Sequence, residues 1–492
     1  MTPELAMMLA IFAPPVASLL IALTGRWPNL REAVTLLTAT GLLGAVLQVL
    51  PAVQAGARPA LHLLEVLPGM TLAFSAEPLG VLFALVAATL WIPTALYAIG
   101  YMRNHHAPHQ TRFFACFPLA LASAMGIAFA DNLFTLFIFY ELLTLSTYPL
   151  VAHAGTEAAR RGARTYLFLL MGTSIGFLLP ALIWTALVAG TLEFKSGGIL
   201  AGRLHPAAAP LLYALFLFGI GKAALMPFHR WLPGAMVAPT PVSALLHAVA
   251  VVKAGVFTVL KVTYYIFGLD FLQQTGASLW LAYVAGFTLI MASLIALNQD
   301  NLKARLAYST VSQLAYIVLG AATATATGFM GGGLHIVMHA FGKITLFFCA
   351  GAILVATHKS RVSEFDGLGR RMPITFAAFA IAAVSVIGLP PGGGTWSKWL
   401  LANATAEIHQ PLLLAALMLS TLLNIAYLMP VVGRAFFRPL PTSAPSGITE
   451  APWACLLPLC FTALASIALF FWPDPVLDLL RPLGEWPLME GP

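Results

Sequence analysis

The sequence predicts an all-α, polytopic membrane protein forming a single membrane domain over residues 1–492. Three observations carry this. Of the 492 residues, 60% are hydrophobic and only 9% are charged, whereas soluble domains are roughly 25% charged. Apolar windows long enough to cross a bilayer, about 20 residues each, recur along the whole chain. The basic residues between those windows alternate in density from one connection to the next.

Taken in order, the windows begin near residues 4, 34, 77, 112, 132, 165, 208, 240, 277, 304, 328, 374, 410 and 453, about fourteen spans. The run Leu5 to Leu23 follows a start without a basic region and reads as the first span, not as a cleaved leader. Connections after the odd-numbered spans hold 16 Lys and Arg, among them Arg103, Arg160, Arg161, Arg164, Arg370 and Arg371. The others hold only Arg58, Lys195, Arg203 and Arg481. Cytoplasmic loops carry the basic excess, so the odd connections are expected on the cytoplasmic side of the membrane and both termini on the other. The longest connections, Gln54 to Ser75, Thr191 to His205 and Phe437 to Pro452, are too short for an independent core.

The net charge of +7 raises nucleic-acid binding, but the basic residues form only pairs and triplets between apolar runs, not a surface patch. Cys116, Cys349, Cys455 and Cys460 show no metal spacing and read as small buried thiols. No nucleotide, flavin or iron-sulfur motif is present, so no cofactor is expected.

Five lysines remain that no connection accounts for: Lys222, Lys253, Lys261, Lys343 and Lys398. All fall within spans, where a charge costs roughly 2.5–3.5 kcal/mol on insertion scales and normally marks an ion path. Among the acids Glu141 alone falls well inside a span, with Glu77, Asp131, Asp300 and Asp366 at span ends or in loops. Lys261 lies nearest a span end, where its stem can snorkel to the interface.

Glu141 and Lys222 form the first constellation. Low dielectric disfavours each charge alone and proximity favours both, so a separable pair is a proton switch and an inseparable one merely locks spans 5 and 7 together. Pro227, Pro233, Pro239 and Pro241 interrupt the helix around Lys222, and non-helical backbone at membrane depth is tolerated only where it is buried or lines a watered cavity. His247 and Lys253 continue along span 8. Standing six apart, they point to different faces unless a bulge or a water intervenes, and a satisfied core histidine is the plain alternative for His247.

The second constellation is His335, His339 and Lys343 at i, i+4 and i+8 on span 11, drifting only about 40° per step, so all three can face one groove. With no third ligand nearby, a proton relay is favoured over a metal site. The run Gly331-Gly332-Gly333 predicts a loosened or broken helix start. The third constellation is IGLPPGGGTWSKWLL, in which Pro390, Pro391 and three glycines break span 12 ahead of Lys398, 176 residues after Lys222. Such an echo is expected of inverted repeats: residues 111–267 (spans 4–8) and 277–434 (spans 9–13), after three N-terminal spans in 1–110 and before a last span at 453–473.

The stretches FYELLTLSTYPLV, Gly219 to Gly255, NLKARLAYSTVSQLAYIVLG and IGLPPGGGTWSKWLL together resemble the antiporter-like membrane subunits of respiratory complex I (NuoL, NuoM, NuoN) and of Mrp-type multisubunit cation/proton antiporters. The resemblance implies fourteen helices in two inverted five-helix repeats with helices 7 and 12 broken. It also implies Glu141 and Lys222 as a glutamate–lysine pair, Lys253 with His247 as a relay, and Lys398 at the exit. His335, His339 and Lys343 would bridge the two halves. Lys398, the short tail and the WSKWLL wording resemble the MrpD type. The implied activity is proton translocation, coupled to Na+ exchange, within a complex of other subunits. Alternatives are a redox-driven pump subunit, the channel subunit of a bicarbonate-accumulating complex, or an autonomous solute transporter.

Overall fold

A computed structural model describes residues 1–67, 69–105, 107–440 and 447–484. The helices that coincide with the expected passages are α1 Pro3–Leu23, α2 Pro28–Gln54, α3 Pro78–Asn104, α4 Gln110–Ala128, α5 Leu133–Val151, α6 Glu157–Ala189, α7 Pro206–Gly219, α8 Thr240–Phe267, α9 Leu279–Leu297, α10 Leu302–Ala322, α11 Ala326–Thr357, α12 Pro373–Ile387, α13 Pro411–Phe437 and α14 Trp453–Phe471; shorter helices include Leu269–Thr275, Gly394–Glu407 and Asp474–Leu480. Eleven are long and apolar enough to cross a membrane. The other three passages expected from the sequence coincide with α7 and α12, which are short, and α10, which is more polar and opens on Lys303 and Arg305.

Local chemistry sets the starts. Asn132, Thr156, Asn301 and Thr325 each accept a backbone N–H from the first turn of α5, α6, α10 and α11, satisfying donors that have no helical partner. Proline opens α1, α2, α3, α12 and α13, where its missing N–H costs nothing.

Burial then separates the helices. Every residue in the most apolar window of α8 is buried, against 33% for α2, so α8 is interior and α2 lies at the outer surface of the chain. α11 packs on α3, α8, α10, α12 and α14, which places it on the axis of the molecule.

The helical architecture stands, with one small addition in the connection before α3, where Ala60–Leu67 and Met70–Ser75 pair as an antiparallel hairpin, β1 and β2. Two expectations are overturned. The glycine run does not loosen α11, which continues unbroken for 32 residues. Its glycines serve packing instead: a Cβ on Gly331 would meet Leu400 at 3.0 Å, on Gly332 Leu260 at 3.1 Å and on Gly333 Leu480 at 3.0 Å. Glu77 stands at a span end, as its position predicts, and is buried there. It is 3% exposed, caps α3 through Leu79 and Gly80, and pairs with Lys261 at 3.2 Å. Lys261 therefore does not snorkel; it is fully buried and also donates to the Ala130 carbonyl at 2.7 Å.

Candidate functional site

The two helix breaks place the site. After Gly219 the chain makes a single tight turn, Gly221–Ala223, that carries Lys222, and then a short helix at Trp231–Gly234. Backbone groups left bare at this depth would cost several kcal/mol each. Here Trp231 Nε1 donates to the Gly221 carbonyl at 2.9 Å, and the Tyr140 hydroxyl accepts the Lys222 N–H at 3.1 Å. Gly255 of α8 has no side chain where the backbone of Lys222 and Ala223 passes, so the two elements close on each other. The second break has the same logic. Gly388 takes φ +90° at the end of α12, and any Cβ there would meet the Lys398 side chain. Pro390 and Pro391 follow before the helix resumes at Gly394–Glu407.

Lys222 does not pair with Glu141. Its Nζ donates to the Tyr140 carbonyl at 2.8 Å and to Thr144 Oγ1 at 2.7 Å, and lies 3.3 Å from the Tyr140 ring centre. Both carboxylate oxygens of Glu141 are buried with no hydrogen-bond partner among the described residues.

On α8 the segment Leu245–Val249 is wound as a π-helix, the kind of bulge that frequently marks functional sites. His247 nevertheless touches neither Glu141 nor Lys253. Its ring packs on Phe347 at 4.7 Å, and both nitrogens lack a hydrogen-bond partner among the described residues. Lys253 instead reaches α11, with Nζ 2.5 Å from His339 Nδ1.

His339 and His335 stack with ring centres 5.8 Å apart. His335 Nδ1 lies 2.8 Å from Ser397 Oγ, one residue before Lys398, and its Nε2 lies 3.1 Å from Gln313 Oε1. Lys343 turns away to donate to Ser309 at 2.7 Å, a hydroxyl that also accepts from Tyr427 at 2.9 Å. Lys398 donates to the Ile387 carbonyl at 2.9 Å, with Nζ 4.4 Å from the Tyr316 ring centre.

Lys253, His339, His335, Ser397 and Lys398 thus form a nearly continuous file across the interior, and Lys343 branches from it. Lys222 and Glu141 stand beside the first break without touching Lys253. The sequence alone does not single out Tyr140, Thr144, Ser309, Ser397 or Tyr427. The signals it offers are Tyr140 immediately before Glu141 and Thr144 four residues on, sharing a helical face. Such a file of donors and acceptors, buried in apolar surroundings, can pass protons.

Comparison with known proteins fits this geometry. The family model described as NADH:quinone oxidoreductase/Mrp antiporter, TM, matches residues 130–424. The chain is 30% identical over 418 residues to NADH-quinone oxidoreductase subunit N of Desulforudis audaxviator (strain MP104C), covering 82% of each. It is 32% identical over 403 residues to a protein of Rhizobium meliloti (strain 1021) described as a probable K(+)/H(+) antiporter component, spanning 80% of this chain and 39% of that protein. A chain in the structure of the Mrp complex from Dietzia sp. DQ12-45-1b shares the fold with a TM-score of 0.84 at 22% identity, covering 98% of this chain and 97% of that one.

Proposed function

The chain belongs to the NADH:quinone oxidoreductase/Mrp antiporter membrane family, and we propose that within it the chain is a proton-translocating subunit of a multisubunit complex, a Mrp-type Na+/H+ antiporter subunit of the D type. The observation that carries this reading is the buried basic file from Lys253 through His339 and His335 to Lys398, with the unpartnered Glu141 carboxylate beside Lys222.

A proton arrives at Lys222 from the cytoplasmic side. When Lys222 swings onto Glu141 both groups are charged; when it leaves, the ammonium loses its anionic partner and yields its proton toward Lys253. His339 and His335 relay it, since imidazole accepts on one nitrogen and donates from the other. Lys398 releases it at the far side. Residues 111–267 and 277–434 act as two inverted half-channels, with 1–110 and 453–473 packing around them, and both termini lie on the non-cytoplasmic face of the bacterial inner membrane.

The likeness to subunit N over 82% of both chains favours a second reading, a redox-driven complex related to NADH-quinone oxidoreductase. Proton uptake by vesicles carrying the intact complex decides between them. An imposed Na+ gradient drives uptake on the first reading, and an electron donor without Na+ drives it on the second. Na+/H+ exchange by the purified chain alone would rule out both.

A further inference from the structure

We propose that Tyr140 and Tyr316 are seats for the lysines at the two helix breaks, positioning residues that hold each ammonium on an aromatic face between transfers; the inference rests on the proton pathway above. An ammonium has three N–H donors. At Lys222 one goes to the Tyr140 carbonyl and one to Thr144. With Nζ 3.3 Å from the ring centre, the ammonium also lies against the electron-rich face of Tyr140, an attraction that strengthens once desolvated. The ring is fully buried, and its hydroxyl accepts the Lys222 N–H, so the same residue grips the lysine backbone and its head.

Lys222 is therefore completely partnered without Glu141, whose oxygens lie bare one residue further along. Adjacent residues of α5 offer the same ammonium two berths, one neutral and one anionic.

The second break repeats half of this device. Tyr316 and Lys398 each stand 176 positions after Tyr140 and Lys222, and Lys398 Nζ lies 4.4 Å from the Tyr316 ring centre. The position equivalent to Glu141 is Ile317, so no carboxylate competes. The second seat has one berth, completed by the Ile387 carbonyl at the end of α12. Tyr316 also lies 5.6 Å, centre to centre, from His335, which sets Lys398 and the histidine file on one ring.

Fluorination tests this, because each fluorine drains the ring face of charge while nearly preserving its shape. Phenylalanine and its mono-, di- and trifluoro derivatives are incorporated at position 140, and separately at 316, in the intact complex reconstituted in vesicles. Proton transport should fall stepwise at both positions, reaching about tenfold at the trifluoro stage, with assembly unchanged. A flat series at 140 overturns the seat. If Lys222→Ala still abolishes transport in that case, the pathway stands without it; if Lys222→Ala leaves transport intact, the pathway itself fails.

Discussion

Lys253 Nζ lies 2.5 Å from Nδ1 of His339, and this is the only hydrogen-bond contact among the described residues between the two lysines of α8, Lys253 and Lys261, and the histidines of α11. Both side chains are buried, so the contact is not a solvated one that forms by chance. It is the joint at which a proton would pass from one half of the molecule to the other.

Breaking that joint gives the first prediction. Lys253→Met removes the donor and keeps the stem, and transport by the complex in vesicles should fall by about a hundredfold, within the range for a lost relay group. His339→Gln retains an acceptor and should lose less. Turnover of Lys253→Met within about twofold of the parent, far less than the loss of a proton-transfer group costs, would contradict the path.

Glu141 and Lys222 give the second. Glu141→Ala and Lys222→Ala should each abolish transport while leaving the complex assembled, because neither residue holds the other in place in the observed arrangement. Copurification of partner subunits and proton uptake check both halves of the statement; survival of activity in both variants rejects the switch.

The Glu77–Lys261 pair makes a contrasting case. Glu77 accepts from Lys261, from the Tyr265 hydroxyl and from the first turn of α3, so it locks α3 to α8. Lys261→Met strands a buried carboxylate and should destabilise by about 3–5 kcal/mol. Adding Glu77→Gln should recover much of that loss in thermal unfolding of the detergent-solubilised protein. A double variant no better than the single one contradicts the clamp.

Asp300, in the exposed connection between α9 and α10, accepts from the Ser363 hydroxyl at 2.7 Å and its N–H at 3.0 Å. The hydroxyl bond chiefly holds its carboxyl below the ordinary 3.8. A depressed carboxyl stabilises the fold above its unfolded value and loses that contribution as pH falls through the folded one. The stability difference between the parent and Asp300→Asn should therefore shrink on acidifying below about pH 4. A difference independent of pH would show that the carboxylate charge contributes nothing.

The ionisable set is legible in the sequence because a lysine inside an apolar run is conspicuous whatever its partner. Pro227, Pro390 and Pro391 mark the breaks for an equally local reason. What stays hidden is tertiary. Nothing near Lys222 in the chain says that Tyr140, 82 residues away, supplies its seat, and nothing near Lys253 names His339. Glu77 is legible as a span-end acid but not as a buried one, because a residue just before a span is buried or exposed according to what packs over the helix start. Gly331–Gly333 read as a weak point because glycines that loosen an isolated helix also let neighbours approach a packed one.

The unbroken α11 has a further consequence. At 1.5 Å per residue its 32 residues run about 48 Å, and its histidines and Lys343 are rungs about 6 Å apart on a rod without a hinge. Their axial spacing is set by the helix itself, with no break between them. Rate control along this stretch must then come from imidazole ring flips and from waters entering or leaving between rungs. Heavy-water and viscosity effects on transport should therefore separate: the first reports the rod, the second the moving segments at the breaks.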